Sequence, residues 1–221
     1  LVDFHASNGT SCLVVGGTTG ESATLTDAEL DELTRLAVQH AAGRLAVVAG
    51  AGTSSTAATV ARVARLSQLG VEGLLVVTPA YVRPTQEGLY RHFEAVAAAS
   101  RVPLILYNVP SRTAVDLLPA TVARLAKLPR IVAIKEAVDS MERVRELVRL
   151  VPPGFTVLSG DDATAREAVA HGARGVVSVT ANVAPRQVAD MIAAALEGDQ
   201  QRAVELDSRL ASLHQALFLE P

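Results

Sequence analysis

Two residues that close apolar runs could carry covalent chemistry. Lys135 is the last residue of the run Ile131–Lys135, and Tyr107 is the last residue of Leu104–Tyr107. An amine at the end of a buried strand is desolvated, which lowers its pKa and leaves part of it neutral. A neutral amine is a nucleophile towards carbonyl carbon, which is the first requirement of a Schiff base. The alternative is that Lys135 simply extends into solvent at the strand end.

Tyr107 could assist that chemistry if its strand neighbours the strand of Lys135. Both side chains would then lie at the same edge of the sheet, and a phenol beside the amine could move protons while an imine forms. Aromatic residues make up only 3% of the chain, and this scarcity slightly favours a functional role for Tyr107. A core tyrosine with one hydrogen bond is the alternative.

Loops that follow the apolar runs offer groups that could bind a substrate. Gly16–Ser22 carries glycines and two threonine hydroxyls, at Thr18 and Thr19, which suit a small carboxylate or phosphate. The loop lacks the Gly-Lys-Ser/Thr of a nucleotide P-loop. Tyr81 stands in a loop framed by prolines, and Arg112, after Pro110, could form a bidentate pair with a carboxylate. Each has a structural alternative: an ordinary strand-to-helix turn for the glycine-rich loop, packing on the loop or a subunit contact for Tyr81, and a surface arginine for Arg112.

Metal chemistry is not indicated. The paired acids Asp161 and Asp162 could bind a metal or act as acid and base, but we favour one of them as a helix N-cap. The five histidines show no ligand-type spacing. We therefore predict no metal site.

Short apolar runs alternate with amphipathic helices along the whole chain. Runs of four to six residues with little polar alternation are typical of parallel strands covered on both faces. Helix signals lie between them, such as the capping box that begins at Thr26. Strict alternation leaves an open doubly wound sheet or a (β/α)8 barrel, and the evenness of the units favours the barrel. The predicted strands are Cys12–Gly16, Leu45–Ala49, Gly73–Val77, Leu104–Tyr107, Ile131–Lys135, Thr156–Ser159 and Gly175–Val179.

We predict an α/β fold, a TIM (β/α)8 barrel that here lacks the first strand and the C-terminal helical extension. A barrel of this kind has eight strands, whereas the chain opens in what reads as a helix at Leu1–Ser7. In this interpretation, residues 1–198 form the barrel with strands two to eight. Residues 199–221 begin a C-terminal helical region.

Composition argues against several classes of protein. Hydrophobic residues make up 49% of the chain, enough for a sizeable aliphatic core, and the net charge is −3 with no basic run of the kind that tracks a phosphate backbone. Cys12 is the single cysteine, which suits a reducing compartment. No apolar stretch approaches the ~20 residues needed to span a bilayer. We predict a cytoplasmic protein that binds neither nucleic acid nor membrane.

Taken together, several segments resemble the dihydrodipicolinate synthase family in order and spacing. The resemblance extends over essentially the whole chain. A lysine at a strand end is shared by the wider superfamily of Schiff-base pyruvate lyases, whereas the paired threonines and the Ser-Arg-Thr loop are closer to the synthase branch. The segments are Gly17–Ser22, Tyr81–Pro84, Tyr107–Thr113, Ile134–Ala137, Ser159–Asp162 and Gly175–Asn182.

The resemblance implies condensation of pyruvate with L-aspartate 4-semialdehyde, in the diaminopimelate route to lysine. It implies that Lys135 holds pyruvate as a covalent imine and that Tyr107 exchanges protons in a relay. The family is usually homotetrameric and needs no metal or cofactor. The remaining roles implied are Thr18 and Tyr81 in the relay, with Tyr81 from the neighbouring subunit, Thr19 and the backbone of Val177 on pyruvate, and Arg112 on the carboxylate of the second substrate.

Two rivals stay open, and one departure concerns regulation. Another Schiff-base pyruvate lyase, such as N-acetylneuraminate lyase or a 2-keto-3-deoxy-sugar-acid aldolase, would share Lys135 and Tyr107. A non-catalytic barrel that binds a keto acid is the second rival. Some family members are inhibited by lysine at a subunit interface, but Asp27, Ala58 and other residues here differ from the usual sensitive choices. We therefore predict weak or absent lysine feedback.

Overall fold

The computed structural model describes residues 1–220, and within them the chain alternates strands and helices. Six parallel strands form one sheet in sequence order, each hydrogen-bonded to the next along the chain. This confirms the α/β class and the alternation. The strands are β1 (Cys12–Val15), β2 (Ala46–Gly50), β3 (Gly73–Val77), β4 (Leu104–Asn108), β5 (Ile131–Glu136) and β6 (Thr156–Ser159).

Half of the described α-helices begin at a residue whose side chain caps the first turn. The Thr26 side chain accepts from the Glu29 N–H while the Glu29 carboxylate accepts from the Thr26 N–H, so the predicted capping box is present. Gly198, with φ +83°, ends the helix before it in the left-handed conformation that favours glycine. The helices are α1 (Val2–Ala6), α2 (Asp27–Ala41), α3 (Thr56–Leu66), α4 (Gln86–Ala99), α5 (Pro110–Thr113), α6 (Pro119–Leu125), α7 (Met141–Leu150), α8 (Ala165–Ala170), α9 (Pro185–Glu197) and α10 (Gln200–Ala216), with a 3-10 turn at Thr180–Asn182.

The seventh predicted strand, Gly175–Val179, is wrong as a strand. It forms only an isolated parallel bridge between Val176 and Ser159. The cause lies beyond the bridge, where the backbone N–H groups of Val179 and Thr180 donate to the Asp162 carboxylate instead of a neighbouring strand. The chain therefore leaves the sheet and enters the 3-10 turn.

The two faces of the sheet pack differently because side chains alternate along each strand. The outer face meets the helices in one large aliphatic core, which includes Leu74, Phe93 and Leu104. The inner face holds a smaller cluster of Val48, Leu75, Tyr107 and Val109, with partly buried neighbours around it. A functional group on the inner face at the carboxyl edge is therefore close to other strands and far from the helices.

Cys12 lies half-buried on this inner face, and burial raises the pKa of its thiol to about 11. A thiol that stays protonated is a poor nucleophile, in line with an inert core residue.

The C-terminal helix packs on the helix before it. Leu210 of α10 contacts the cluster of Val188 and Met191 on α9. The division into residues 1–198 and 199–221 stays a prediction. In the part of the chain that the structure describes, none of the helices has the length and hydropathy that crossing a membrane requires.

Candidate active site

The structure brings Lys135 and Tyr107 together on neighbouring strands. The two residues are partners in the register of β4 and β5. The Lys135 Nζ atom lies 4.2 Å from the centroid of the Tyr107 ring. Since the carboxyl ends of parallel strands meet at one edge, the amine and the phenol share that edge, as the sequence predicted.

Burial controls the protonation of the amine. Desolvation lowers the pKa of Lys135 to about 8, the nearby Asp162 carboxylate raises it, and the Arg112 guanidinium lowers it further. At a pKa near 8, about a tenth of the amine is neutral at pH 7, compared with well under a hundredth for an ordinary lysine. Desolvation therefore increases the fraction of Lys135 that is neutral and able to attack a carbonyl.

The phenol of Tyr107 is held protonated at neutral pH. The residue is only 6% exposed, and burial raises the pKa of its phenol. The hydrogen-bonding Thr18 side chain and the charge of Arg112 pull that pKa back down. A phenol beside a second hydroxyl can pass a proton along a short chain, and the relay through Thr18 and Tyr107 stays a prediction.

The loop of Thr18 and Thr19 presents unused donors at the same edge. Turn hydrogen bonds such as Gly20 N–H to Gly17 C=O and Glu21 N–H to Thr18 C=O fold the loop tightly. Among the described residues, the N–H groups of Thr18 and Thr19 find no acceptor, and both residues are exposed. Two adjacent free N–H groups can bind a carboxylate.

Glycine is required where this loop meets β2. A Cβ on Gly50 would lie 2.0 Å from the Gly16 carbonyl oxygen, a distance that no side chain allows. The close approach of β1 and β2 leaves a small cleft between their ends, which Thr18 and Tyr107 help to line. The glycines thus make room for a ligand beside the phenol.

The predicted carboxylate-binding arginine is also near the amine. Arg112 is exposed on α5, and its charge lowers the pKa of both Lys135 and Tyr107. An exposed guanidinium whose charge reaches the amine and the phenol could bind a second, negatively charged substrate.

The structure does not bring Tyr81 to the other residues within one chain. Its side chain is 90% exposed, and its backbone is in the left-handed region at φ +73°. The Tyr81 N–H donates to the Thr113 carbonyl, which ties this loop to the loop of Arg112. A bulky residue held at positive φ is strained, so the loop is fixed with the ring pointing into solvent.

The backbone of Val177 is only half available to a ligand. Its N–H donates to the Ser159 carbonyl at the isolated bridge. A bound molecule could therefore contact Val177 through the carbonyl oxygen alone.

Sequence reasoning missed what Asp162 does. The predicted helix N-cap is wrong for both acids, because the N-cap of α8 is Thr164 and no side chain caps that helix; Asp161 Oδ1 accepts from the Thr164 N–H and hydroxyl. Asp162 instead accepts from Ser178 Oγ and from the N–H groups of Val179 and Thr180. Its partners lie 16 to 18 residues away, so no local pattern could have indicated them.

A second missed feature lies behind the site, on the outer face of the same two strands. The Asn108 side-chain amide donates to both oxygens of Glu136 at 3.1 Å and to Asp116 Oδ1 at 2.8 Å. Arg143 forms a bidentate pair with Asp116 at 2.7 and 3.0 Å. Burial raises the pKa of Glu136 to about 7, although the bonds from Asn108 and Val138 lower it. This network joins the strand ends one residue beyond Tyr107 and Lys135.

A parallel α/β sheet that presents a desolvated amine and a phenol at its carboxyl edge has the layout of a lyase that works on carbonyl compounds. The sequence profile of the dihydrodipicolinate synthetase family matches residues 1–221. The chain belongs to that family.

Individual relatives agree with this assignment. The 4-hydroxy-tetrahydrodipicolinate synthase of Methylococcus capsulatus is 53% identical over 220 residues, which is 100% of this chain and 76% of that relative. The crystal structure of dihydrodipicolinate synthase from Aquifex aeolicus has a TM-score of 0.97 at 46% identity, and the match covers 99% of this chain and 75% of that one. The chloride-inhibited enzyme from Acinetobacter baumannii, crystallised with pyruvate, has a TM-score of 0.97 at 42% identity over the same shares.

Proposed function

We propose that the protein is a 4-hydroxy-tetrahydrodipicolinate synthase, which condenses pyruvate with L-aspartate 4-semialdehyde through an imine on Lys135. The observation that carries the proposal is the desolvated Lys135 amine, 4.2 Å from the Tyr107 ring centroid at the mouth of the sheet. The names of the relatives and the family match support the choice of this reaction over a sugar-acid aldolase.

The proposed reaction begins with attack of the Lys135 nitrogen on the keto carbon of pyruvate. The carbonyl oxygen leaves as water after gaining two protons, one of them from the attacking nitrogen. The resulting cationic imine is an electron sink, so a methyl proton of pyruvate can be lost to give an enamine. The enamine carbon then adds to the aldehyde of the second substrate, whose oxygen takes up a proton, and the imine on Lys135 forms again. Attack of the second substrate's own amino group on the imine carbon closes the ring and releases the lysine amine. Tyr107, with Thr18, is placed to supply and accept the protons of these steps.

We assign the two substrates to the polar and charged groups at the carboxyl edge of the sheet. We assign the pyruvate carboxylate to the free N–H groups at Thr18 and Thr19, with the carbonyl of Val177 as a further contact. Arg112 would receive the carboxylate of the aspartate semialdehyde, since a guanidinium binds a carboxylate with two parallel hydrogen bonds. No bound cofactor enters this scheme.

The finer architecture and the assembly belong to the same proposal. A (β/α)8 barrel is supported by TM-scores of 0.97 to family structures. A homo-oligomer, for which we propose a tetramer, would let the exposed Tyr81 of one chain complete the relay of another. If so, mixing Tyr81→Ala chains with Lys135→Ala chains restores part of the activity that each variant lacks. No recovery after mixing and reassembly would contradict a shared site. A cytoplasmic location stays a prediction.

Borohydride reduction in the presence of pyruvate tests the imine directly. The chain has two lysines, the exposed Lys127 and Lys135, so Lys127 is an internal control. We expect the peptide of Lys135 to gain the mass of pyruvic acid less one oxygen atom, and the peptide of Lys127 to stay unmodified. Equal labelling of both lysines, or none, would remove the basis of the proposal. Comparison of turnover with aspartate semialdehyde and with sugar-derived aldehydes then decides the second substrate.

A further inference from the structure

Asp162 is a buried carboxylate with a fixed orientation. It is 2% exposed. One oxygen accepts from the N–H groups of Val179 at 2.7 Å and Thr180 at 3.1 Å, and the other accepts from Ser178 Oγ. Every one of these partners is neutral, so the negative charge is buried without a bound cation. A buried charge costs free energy unless a group of opposite charge lies nearby to compensate it.

Asp162 stands on the loop that continues β6 past Lys135. Lys135 is paired with Leu158 in the register of β5 and β6, and Gly160 N–H donates to the Glu136 carbonyl at 2.7 Å. A Cβ on Gly160 would lie 3.0 Å from Lys135 Cε, so the loop runs against the lysine side chain. Asp162 follows two residues later.

Two charged groups, Asp162 and Arg112, act on the pKa of Lys135, and the ring of Tyr107 packs against its amine. Asp162 acts on it through charge and not through a hydrogen bond, Arg112 opposes Asp162, and Tyr107 lies beneath the amine. The carboxylate therefore belongs to the loop that runs against the lysine side chain, and its hydrogen bonds go to residues 178–180.

We propose that Asp162 is the fixed counter-charge of Lys135 and stabilises the positive charge that the lysine nitrogen carries as an imine. The inference rests on the proposed function. The lysine must be neutral to attack and cationic once the imine has formed. A direct ion pair would stabilise the ammonium form of the free enzyme and suppress attack. Because hydrogen bonds already occupy the lone pairs of Asp162, its carboxylate offsets only part of the effect of burial on the pKa of Lys135. The same carboxylate stays in place when the lysine nitrogen becomes the cation of the imine. Asp162 acts through Lys135 and is a positioning residue in this sense.

Asp162→Asn separates the charge from the hydrogen bonds. The asparagine oxygen can accept from the N–H groups of Val179 and Thr180, and its amide can donate to Ser178 Oγ. The matched control is Asp161→Asn, because Asp161 accepts only from Thr164 among the described residues. Both variants remove one negative charge from the same loop.

The pKa of Lys135 is read first without any substrate. Competitive acetylation of the full-length protein at a series of pH values, followed by peptide mass analysis, compares Lys135 with Lys127 in one sample. We expect the pKa of Lys135, about 8 in the unmodified protein, to fall on the order of one pH unit in Asp162→Asn and to stay unchanged in Asp161→Asn. One pH unit corresponds to a tenfold loss in stabilisation of the cation. Well above pH 8, where the free amine is neutral in both proteins and imine formation must take up a proton, pyruvate trapping with borohydride should fall roughly tenfold in the same variant.

An unchanged pKa of Lys135 in folded Asp162→Asn would overturn the inference and leave Asp162 with a purely structural role. If Asp162→Asn fails to fold, Asp162→Glu decides, because it keeps the charge while its longer side chain disturbs the bonds to residues 178–180. The counter-charge role requires Asp162→Glu to keep the pKa of Lys135 despite a lower melting temperature, and a displaced pKa refutes it. If the unmodified protein traps no pyruvate, the proposed function fails, whereas the acetylation result still reports the charge coupling.

Discussion

Glu136→Gln should remove the pH dependence of stability that the buried Glu136 imposes. Glu136 is 3% exposed and accepts from the Asn108 amide and the Val138 N–H. The Arg143 guanidinium is 3.7 Å away and is engaged mainly by Asp116. These contacts do not compensate for the loss of water around an ionised carboxylate, so the neutral acid is the favoured form in the folded protein.

The magnitude follows from the pKa of Glu136, which rises from 4.5 to about 7 on folding. A difference of about 2.5 units at 1.36 kcal/mol each gives about 3 kcal/mol. Because the pKa is raised, the contribution to stability is fully present below pH 4.5. It is lost as the pH rises through 7, where the folded protein must ionise a buried group. Glutamine resembles the protonated acid and does not ionise, so its contribution is independent of pH.

Urea unfolding of both proteins at pH 5 to 8 measures this effect. We expect the free energy of unfolding of Glu136→Gln, relative to the unmodified protein, to increase by about 3 kcal/mol across that range. Glu142→Gln, at an exposed position on α7, controls for the removal of one carboxylate. A difference between Glu136→Gln and the unmodified protein that stays constant from pH 5 to 8 would refute the argument, because it would mean that Glu136 ionises as readily in the folded state as in the unfolded one.

Three further outcomes are expected. Gly160→Ala places a methyl group 2.7 Å from Ala137 Cβ and 3.0 Å from Lys135 Cε, so it should destabilise the protein by about 1–3 kcal/mol. Because the methyl group also crowds Lys135, pyruvate trapping should slow more than the loss of folded protein explains, and trapping at the rate of the unmodified protein would contradict this. Tyr107→Phe keeps the ring and removes the hydroxyl, so steady-state kinetics should show kcat reduced about 10²- to 10⁴-fold with a near-normal KM for pyruvate, and an unchanged kcat would exclude Tyr107 from proton transfer. Asp27, at one of the positions where lysine-inhibited relatives differ, already forms an ion pair with Arg62 at 2.9 Å. We therefore expect activity to persist in millimolar lysine. Inhibition of the full-length enzyme below that range would contradict weak feedback.

Most of the fold could be predicted because each element signals itself locally. The end of β5 at Lys135 and Glu136 follows from an apolar run that stops at a charged pair, and α2 follows from the capping residues at Thr26 and Glu29. Neighbouring positions for Tyr107 and Lys135 then follow from the rule that consecutive parallel strands tend to be adjacent. These predictions need no knowledge of distant contacts.

The errors arise where a distant side chain decides the backbone. The run Gly175–Val179 has the composition of a strand, but the Asp162 carboxylate takes the N–H groups of Val179 and Thr180. The same contact hid the role of Asp162, since an acid after a strand normally indicates a helix N-cap. Composition gives the preference of a segment, whereas a buried charge that needs donors can override it.

One physical effect connects the two faces of the central strands. On the inner face, desolvation lowers the pKa of Lys135 to about 8, and on the outer face it raises the pKa of Glu136 to about 7. Adjacent residues point to opposite faces of a strand, so burial favours the neutral forms of an amine and an acid one position apart without pairing them. If Lys135 and Glu136 faced the same side, they would form an ion pair and the amine would stay protonated. Because side chains alternate between the two faces of the strand, Glu136 can follow Lys135 in the sequence without forming an ion pair that would keep the amine protonated.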